Sequence, residues 1–331
     1  MKSTKCFVTA IAISVFLLTG FFALPKSEAQ TIELKFGHVG APGSLFSICV
    51  DEFANRANAR LDGKARVVAF GSSQLGKDRE LLRKIKLGTV DFALPSTVMS
   101  SVADVFGLFE MPYLVENRDH MRKIRDEIFW TGIAPAVESQ GYKIISVWEN
   151  GFRHITNNAL PINTPRDLKN IKLRTPKGTW RVKMFKGYGA NPTPMALSEV
   201  FVALQTGVID GQENPFAQIY SQKFHEVQKY LSLTGHVYTP AYVTVGLKKW
   251  AKLPGDVRRI LGETALEMQE FVYETAERLE GELLEKMRPS VKINEANKKA
   301  FVEASGPIYA DFAAVAPGGD KLIKRAQRLA H

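Results

Sequence analysis

Three groups of residues could do chemistry in this chain, and each also has a plainer explanation. Gly71-Ser72-Ser73-Gln74-Leu75-Gly76-Lys77 has the glycine and lysine spacing of a phosphate-binding loop, and it lies between a strand pattern and a helix pattern. The next residue should carry a hydroxyl for magnesium. Here it is Asp78, an acid where phosphate charge would sit. Nucleotide binding is therefore rejected, and a tight loop opening a helix is expected, with Gln74 facing a cleft. The six histidines show no paired spacing, and neither a zinc signature nor a Gly-x-Ser-x-Gly elbow is present. Glu149 and Glu199 are single acids without an evident partner. No cofactor or metal is expected, and no enzyme activity.

The third group is cationic. Arg174 stands in Ile171-Lys172-Leu173-Arg174-Thr175-Pro176, near the carboxyl end of a strand, where sheets of this kind bind ligands. Arg153 follows Asn150-Gly151-Phe152, beside a glycine read as a turn. A guanidinium fork matches a carboxylate through two parallel hydrogen bonds. On residue pattern alone, a surface salt bridge is the first reading of either arginine and a carboxylate clamp the second. Asn214, in Gln212-Glu213-Asn214-Pro215, is a turn initiator when taken by itself. Phe152, Trp148, Trp180 and Phe216 either wall a pocket or fill a core.

These residues need elements to position them. Residues 31–38 alternate apolar and polar and predict a strand, followed by a loop of Gly37, Gly40, Pro42 and Gly43. A helix over 44–61, a strand over 65–70, a helix over 77–87 closed by Gly88, and a third strand over 90–94 follow. This β-loop-α alternation indicates a parallel sheet with binding loops along one edge. It resumes after about residue 150. Thr164-Pro165-Arg166-Asp167 starts a short helix, 171–175 is a strand, 198–206 is a helix stopped by Gly207, and 208–210 re-enters the sheet. Leu87-Gly88-Thr89-Val90-Asp91 and Thr206-Gly207-Val208-Ile209-Asp210 echo each other, as two halves built alike would. Pro254 and Pro289 bracket a proline-free stretch with apolar residues at helical spacing. About 33 residues rising 1.5 Å each make a helix of roughly 50 Å, long enough to lean on two lobes. Gly262 and Gly281 are the points at which it would break.

The chain begins with Lys2 and Lys5, an almost unbroken apolar run from Cys6 to Leu24, and Ser27-Glu28-Ala29. That is the layout of a secretory signal peptide over residues 1–29, cleaved after Ala29. A retained membrane anchor is the competing reading, disfavoured by the small-residue exit and the absence of a stop-transfer pattern. Cys49 is then the one mature cysteine, in an apolar stretch that suits a buried thiol. The formal charge is +10; removing Lys2, Lys5, Lys26 and Glu28 leaves +8. Cations and acids are interspersed without long runs, which argues against nucleic acid and for a mild field favouring small anions.

Several of these segments together resemble the solute-binding subunits of TRAP transporters. The resemblance is carried by Gly151-Phe152-Arg153, by Pro161-Ile162-Asn163-Thr164-Pro165-Arg166-Asp167-Leu168-Lys169, and by Lys172-Leu173-Arg174-Thr175-Pro176. It continues through Gly189-Ala190-Asn191-Pro192-Thr193-Pro194-Met195 and on from Ser198 to Asp210-Gly211-Gln212-Glu213-Asn214-Pro215. Ser72-Ser73-Gln74-Leu75-Gly76 and Glu226-Val227-Gln228-Lys229-Tyr230-Leu231 also match. The resemblance implies an α/β, bilobal periplasmic binding protein, with two lobes joined by hinge strands and a long shared helix. One lobe would take residues 30–150 and about 240–280, the other 151–239 and about 281–331. Arg174 would clamp a solute carboxylate, Arg153 would be a second cationic contact, and Asn214 would reach the same end of the ligand. Ser96 falls where the first lobe touches the rest of the solute, and Gln74, Asn150 and Phe216 complete the candidate set. Sialic-acid-binding members carry an acid at the position of Ser96 and an aromatic at that of Leu197, so a smaller acid is expected: a dicarboxylate, an oxo or hydroxy acid, or a sugar acid. The implied protein is a monomer in the periplasm that delivers its solute to small and large membrane subunits on a sodium gradient. A sensory partner of a membrane kinase and a secreted hydrolase are the alternatives.

Overall fold

Residues 31–330 are described by a computed structural model; the expected leader lies outside the described residues. In chain order the strands are β1 (Ile32–Gly37), β2 (Ala65–Phe70), β3 (Phe92–Ala93), β4 (Tyr142–Phe152), β5 (His154–Asn157) and β6 (Lys172–Thr175). They continue with β7 (Asn191–Pro194), β8 (Gly211–Asn214), β9 (Tyr230–Leu233), β10 (Tyr238–Gly246) and β11 (Lys292–Glu295). The helices are α1 (Leu45–Leu61), α2 (Asp78–Leu87), α3 (Arg118–Ile124), α4 (Thr179–Gly187), α5 (Val200–Gln205) and α6 (Phe216–Ser221). After them come α7 (Leu247–Lys252), α8 (Gly255–Met287), α9 (Lys298–Ala304), α10 (Gly306–Val315) and α11 (Gly319–Arg328).

Two sheets form, in the orders β2-β1-β3-β10-β4 and β11-β9-β5-β8-β6-β7. In the first, β1 runs parallel to β2 and β3, while β10 is antiparallel to β3 and β4. In the second, β6 runs parallel to β7 and β8, and β5 is antiparallel to β8 and β9. This is the bilobal α/β fold expected from the sequence. The chain passes between sheets at two places close together. Arg153 alone separates β4 from β5, and residues 234–237 separate β9 from β10. Above both lies α8, 33 residues long. It packs on α1 and β4 of the first lobe and on α6 of the second. Neither Gly262 nor Gly281 breaks it; at both, an added Cβ would meet nothing within 4 Å, so these glycines sit on open faces of a continuous helix.

The internal echo is structural. Gly88 and Gly207 both take left-handed backbone, at φ 79° and 72°, a conformation that glycine adopts at no steric cost. Asp91 then accepts from Lys35 N at 2.8 Å while its own N–H donates to Lys35 O at 3.0 Å. Asp210 does the same with Lys172, at 2.8 and 2.9 Å. These side chains explain two shifts from the sequence expectation. The strand expected over 90–94 is only Phe92–Ala93, and the one expected at 208–210 begins at Gly211, because each aspartate is spent on fastening the neighbouring strand.

Gly151 is no turn. It has φ 122° and lies inside β4, where the register slips between Thr239↔Gly151 and Pro240↔Glu149. Asn150 is thereby left without a partner in the ladder: a β-bulge, which re-aims a side chain. Pro240, which has no N–H to give, stands opposite the bulge, as strand prolines do. The phosphate-loop look-alike is also resolved. Ser72 N, Ser73 N, Gln74 N and Gly76 N donate to Gly40 O, His38 O, Gly71 O and Ser73 O, so these amides are committed within the fold. Cys49 is buried, and burial pushes its thiol far above the ordinary range.

Candidate functional site

Strand β6 places Arg174 third in a four-residue strand, 3% exposed. Its guanidinium donates from Nε and Nη2 to the carbonyl of Met195, at 3.1 and 2.8 Å. Among the described residues Nη1 makes no hydrogen bond to the protein. Burial brings this guanidinium down to about 10, which leaves it charged at neutral pH. The first reading from the sequence, a surface salt bridge, does not describe it.

Arg153 is also buried, at the crossing between lobes, and its ion pair is internal. Nε donates to Glu213 Oε2 at 2.5 Å, and Nη2 donates to Glu213 Oε1 at 3.0 Å, Glu213 O at 2.7 Å and Asn214 Oδ1 at 2.9 Å. Glu213 receives a second guanidinium: Arg181, on α4, donates from Nη1 to Oε2 at 2.6 Å and from Nε to Glu110 Oε2 at 2.7 Å. His236 Nε2 stands 3.2 Å from the same Oε2. Burial holds His236 down at about 4, so the ring is neutral and donates a hydrogen bond from Nε2–H to Glu213. Burial would raise the Glu213 carboxyl, but Arg153, Arg181 and the His236 bond hold it well below the ordinary carboxylate range. Glu110 reaches Arg181 alone and is pushed up to about 7 by burial, against the pull of the two arginines. Two guanidiniums thus face the carboxylate of Glu213 and the burial-raised carboxyl of Glu110. Asn214 is held by it, accepting from Arg153 and donating from Nδ2 to Gln212 Oε1 at 2.6 Å.

A cleft of about 460 Å³ opens between α2 and the ends of β6 and β7, with Asp78, Tyr142, Arg174, Lys177 and Met195 among its walls. Behind it a chamber of about 40 Å³ shares Asp78, Val98, Arg174 and Pro176 with the cleft and adds Ser96, Asn150, Arg153 and Asn214. Five of the candidate residues therefore meet around one cavity. Leu197 closes the chamber on the side of the second lobe. Ser96 Oγ donates to Pro240 O at 2.6 Å and accepts from Asn150 Nδ2 at 3.3 Å. Asp78, the first residue of α2, faces the cavity with Arg174. Burial pushes its carboxyl up to about 6, and the Arg174 charge opposes that rise.

Two candidates stand apart. Gln74 is exposed and lines neither space. Phe216 stacks on the His154 ring, centroids 4.3 Å apart, and with Phe152 it walls a separate pocket of about 20 Å³ behind Asn150. Of the other aromatics, Trp148 fills the first-lobe core and Trp180 is buried beside Asp104. Sequence reasoning missed Arg181, Glu110, His236 and Gln218. No local signal marks Arg181, since its carboxylate partners are 71 and 32 residues away.

The cleft mouth is bridged from lobe to lobe. Lys77 Nζ meets Glu199 Oε1 at 2.6 Å, Arg79 Nη2 donates to Lys177 O at 3.0 Å, and Ser101 Oγ accepts from Thr179 N at 3.0 Å.

Comparison with known proteins points the same way. The profile of bacterial extracellular solute-binding protein, family 7 (DctP) matches residues 36–315. The 2,3-diketo-L-gulonate-binding periplasmic protein of Escherichia coli (strain K12) is 30% identical over 311 residues, 93% of this chain and 95% of that protein. A TRAP periplasmic solute-binding protein from Polaromonas sp JS666, solved bound to D-erythronate, superposes with a TM-score of 0.85 at 30% identity, over 89% of this chain and 98% of that one. Another from Sulfurospirillum deleyianum, with bound succinate, gives 0.85 at 31% identity over 90% and 99%. The chain belongs to the DctP family of TRAP periplasmic solute-binding proteins.

Proposed function

We propose that this protein captures a small organic carboxylate in the periplasm, without chemical conversion, and hands it to the membrane subunits of a TRAP transporter. The observation that carries this is Arg174: a charged guanidinium, 3% exposed, on a cavity between two lobes, with Nη1 making no hydrogen bond to the described protein. A buried cation without an ionic partner is costly unless an anion completes it. Arg153 is held rigidly by Glu213, so it presents a fixed edge to the same chamber. Asn214 is oriented in turn by Arg153. The acids found in relatives, D-erythronate and succinate, share a carboxylate and small size.

Micromolar affinity corresponds to about −8 kcal/mol. Charge-assisted hydrogen bonds contribute roughly 1.5–3 kcal/mol each, so two or three to Arg174 and Arg153 supply much of it. Lobe closure excludes water and supplies the rest, because the ligand shifts the open–closed equilibrium by its preference for the closed form. No helix among the described residues is long and apolar enough to cross a membrane.

Calorimetric titration of the mature chain with D-erythronate, D-gluconate and succinate tests this reading. At least one acid should bind near micromolar, and Arg174→Ala should weaken it about 100-fold while the unliganded protein still folds cooperatively. Unchanged affinity in the variant would remove Arg174 from its role.

A further inference from the structure

The cavity is chemically two-sided. Donors come from the second lobe: Arg174 and, at the crossing, Arg153, with Asn214 Nδ2 beside them. The first lobe brings oxygen. Asp78, Thr97 and Asn150 all line the inner chamber, and Gln218 on α6 completes it. Thr97, Asn150 and Gln218 are 5%, 6% and 3% exposed. Each carries a buried oxygen without a hydrogen-bond partner: Thr97 Oγ1, Asn150 Oδ1 and Gln218 Oε1. Buried polar atoms in folded proteins are nearly always paired, and one left unpaired forfeits its full solvation. Three around one chamber call for a shared explanation.

The orientation of Asn150 is settled by its neighbour. Ser96 spends its only hydroxyl hydrogen on Pro240 O, so toward Asn150 it can only accept. The Asn150 amide must therefore present Nδ2 to Ser96, and Oδ1 is left in need of a donor. A carboxylate has no donor to offer, whereas a hydroxyl both donates and accepts, which suits Thr97 and Gln218 as well. Charge leads to the same conclusion. Arg153 and Arg181 face Glu213 and Glu110, and Arg174, the inner chamber's other arginine, shares the cavity with Asp78. Three guanidiniums already face three carboxyls, so one ligand carboxylate is accommodated with Asp78, whose carboxyl is raised by burial, taking up a proton; a second would find no further cation on the inner chamber.

We infer that the solute is a monocarboxylate carrying several hydroxyl groups, an aldonate-type acid, with its carboxylate on Arg174 and its hydroxyls on Asp78, Asn150, Thr97 and Gln218. The inference rests on the carboxylate-capture reading of the same site and selects among the acids which that reading admits. An amino acid is the nearest rival, since an ammonium also donates to Asp78. Its three donors sit on one atom, so it reaches fewer of the oxygens spread around the chamber than hydroxyls carried along a chain, and fits less well.

The test is calorimetry on the mature chain with glycerate, D-erythronate and D-gluconate, against butyrate, succinate and threonine, the series of lengths keeping size from deciding the result. The best hydroxy acid should bind at least about ten-fold tighter than succinate, butyrate or threonine. Gln218→Met should weaken that hydroxy acid about ten-fold and leave butyrate unchanged, which a merely structural role would not do. Asp78→Asn should shrink the gap between hydroxy acid and succinate. Succinate or threonine binding as tightly as any hydroxy acid would overturn the inference while leaving carboxylate capture in place. A failure of every acid to bind would overturn both.

Discussion

The two lobes are fastened alike and equipped differently. In each, a helix ends on a left-handed glycine and an aspartate then takes both backbone groups of a lysine on the next strand, Lys35 in the first lobe and Lys172 in the second. At the cavity the likeness stops. The second lobe offers Arg174 and an arginine pair facing internal carboxyls; the first offers Asp78, Thr97 and the bulged Asn150. Scaffold chemistry is duplicated because it solves a local problem, the seating of a strand. The polar groups of the cavity are divided between the lobes, so donors and acceptors meet only where the two lobes face each other.

The sharpest way to break this contrast is to unbalance the second lobe. Glu213→Gln leaves Arg153 and Arg181 buried with less negative charge between them, and breaking such a pair costs about 3–5 kcal/mol. Chemical denaturation should show a loss of that size; a loss under 1 kcal/mol would mean that the cluster tolerates uncompensated cations. The likeness itself is tested by Asp91→Ala and Asp210→Ala. Each removes a side-chain bond to a backbone N–H and should cost about 1–3 kcal/mol, in comparable measure. A large effect at one site and none at the other would reduce the echo to coincidence. The smallest effect is expected at the mouth, where Lys77→Ala removes the exposed ion pair with Glu199, at side-chain exposures of 41% and 44%. Affinity should fall about two- to three-fold, and the loss should vanish in high salt.

Much of this was legible in the residues. Alternation gave β1 and β2, the bracketing prolines gave α8, and the paired Gly…Asp segments announced two halves of one design. Arg174 was legible as a residue at a strand's carboxyl end. What could not be read depends on distance along the chain. Arg181 looks like any helical arginine until α4 is laid against Glu110 and β8, and Asn150 followed by a glycine reads as a turn until Pro240 arrives opposite it. Local chemistry announces elements; partners from far along the chain decide which of their side chains are buried, paired or left open.

Arg153 is the one residue between β4 and β5, and its side chain is gripped by Glu213. A pivot with so little backbone confines any swing to a few torsions, here and in residues 234–237. Points near such an axis travel least. The Arg153 guanidinium would therefore keep its station whatever the angle between the halves, while Asp78 and Thr97, farther from the axis, would move toward a solute whose carboxylate, as proposed, sits on Arg174.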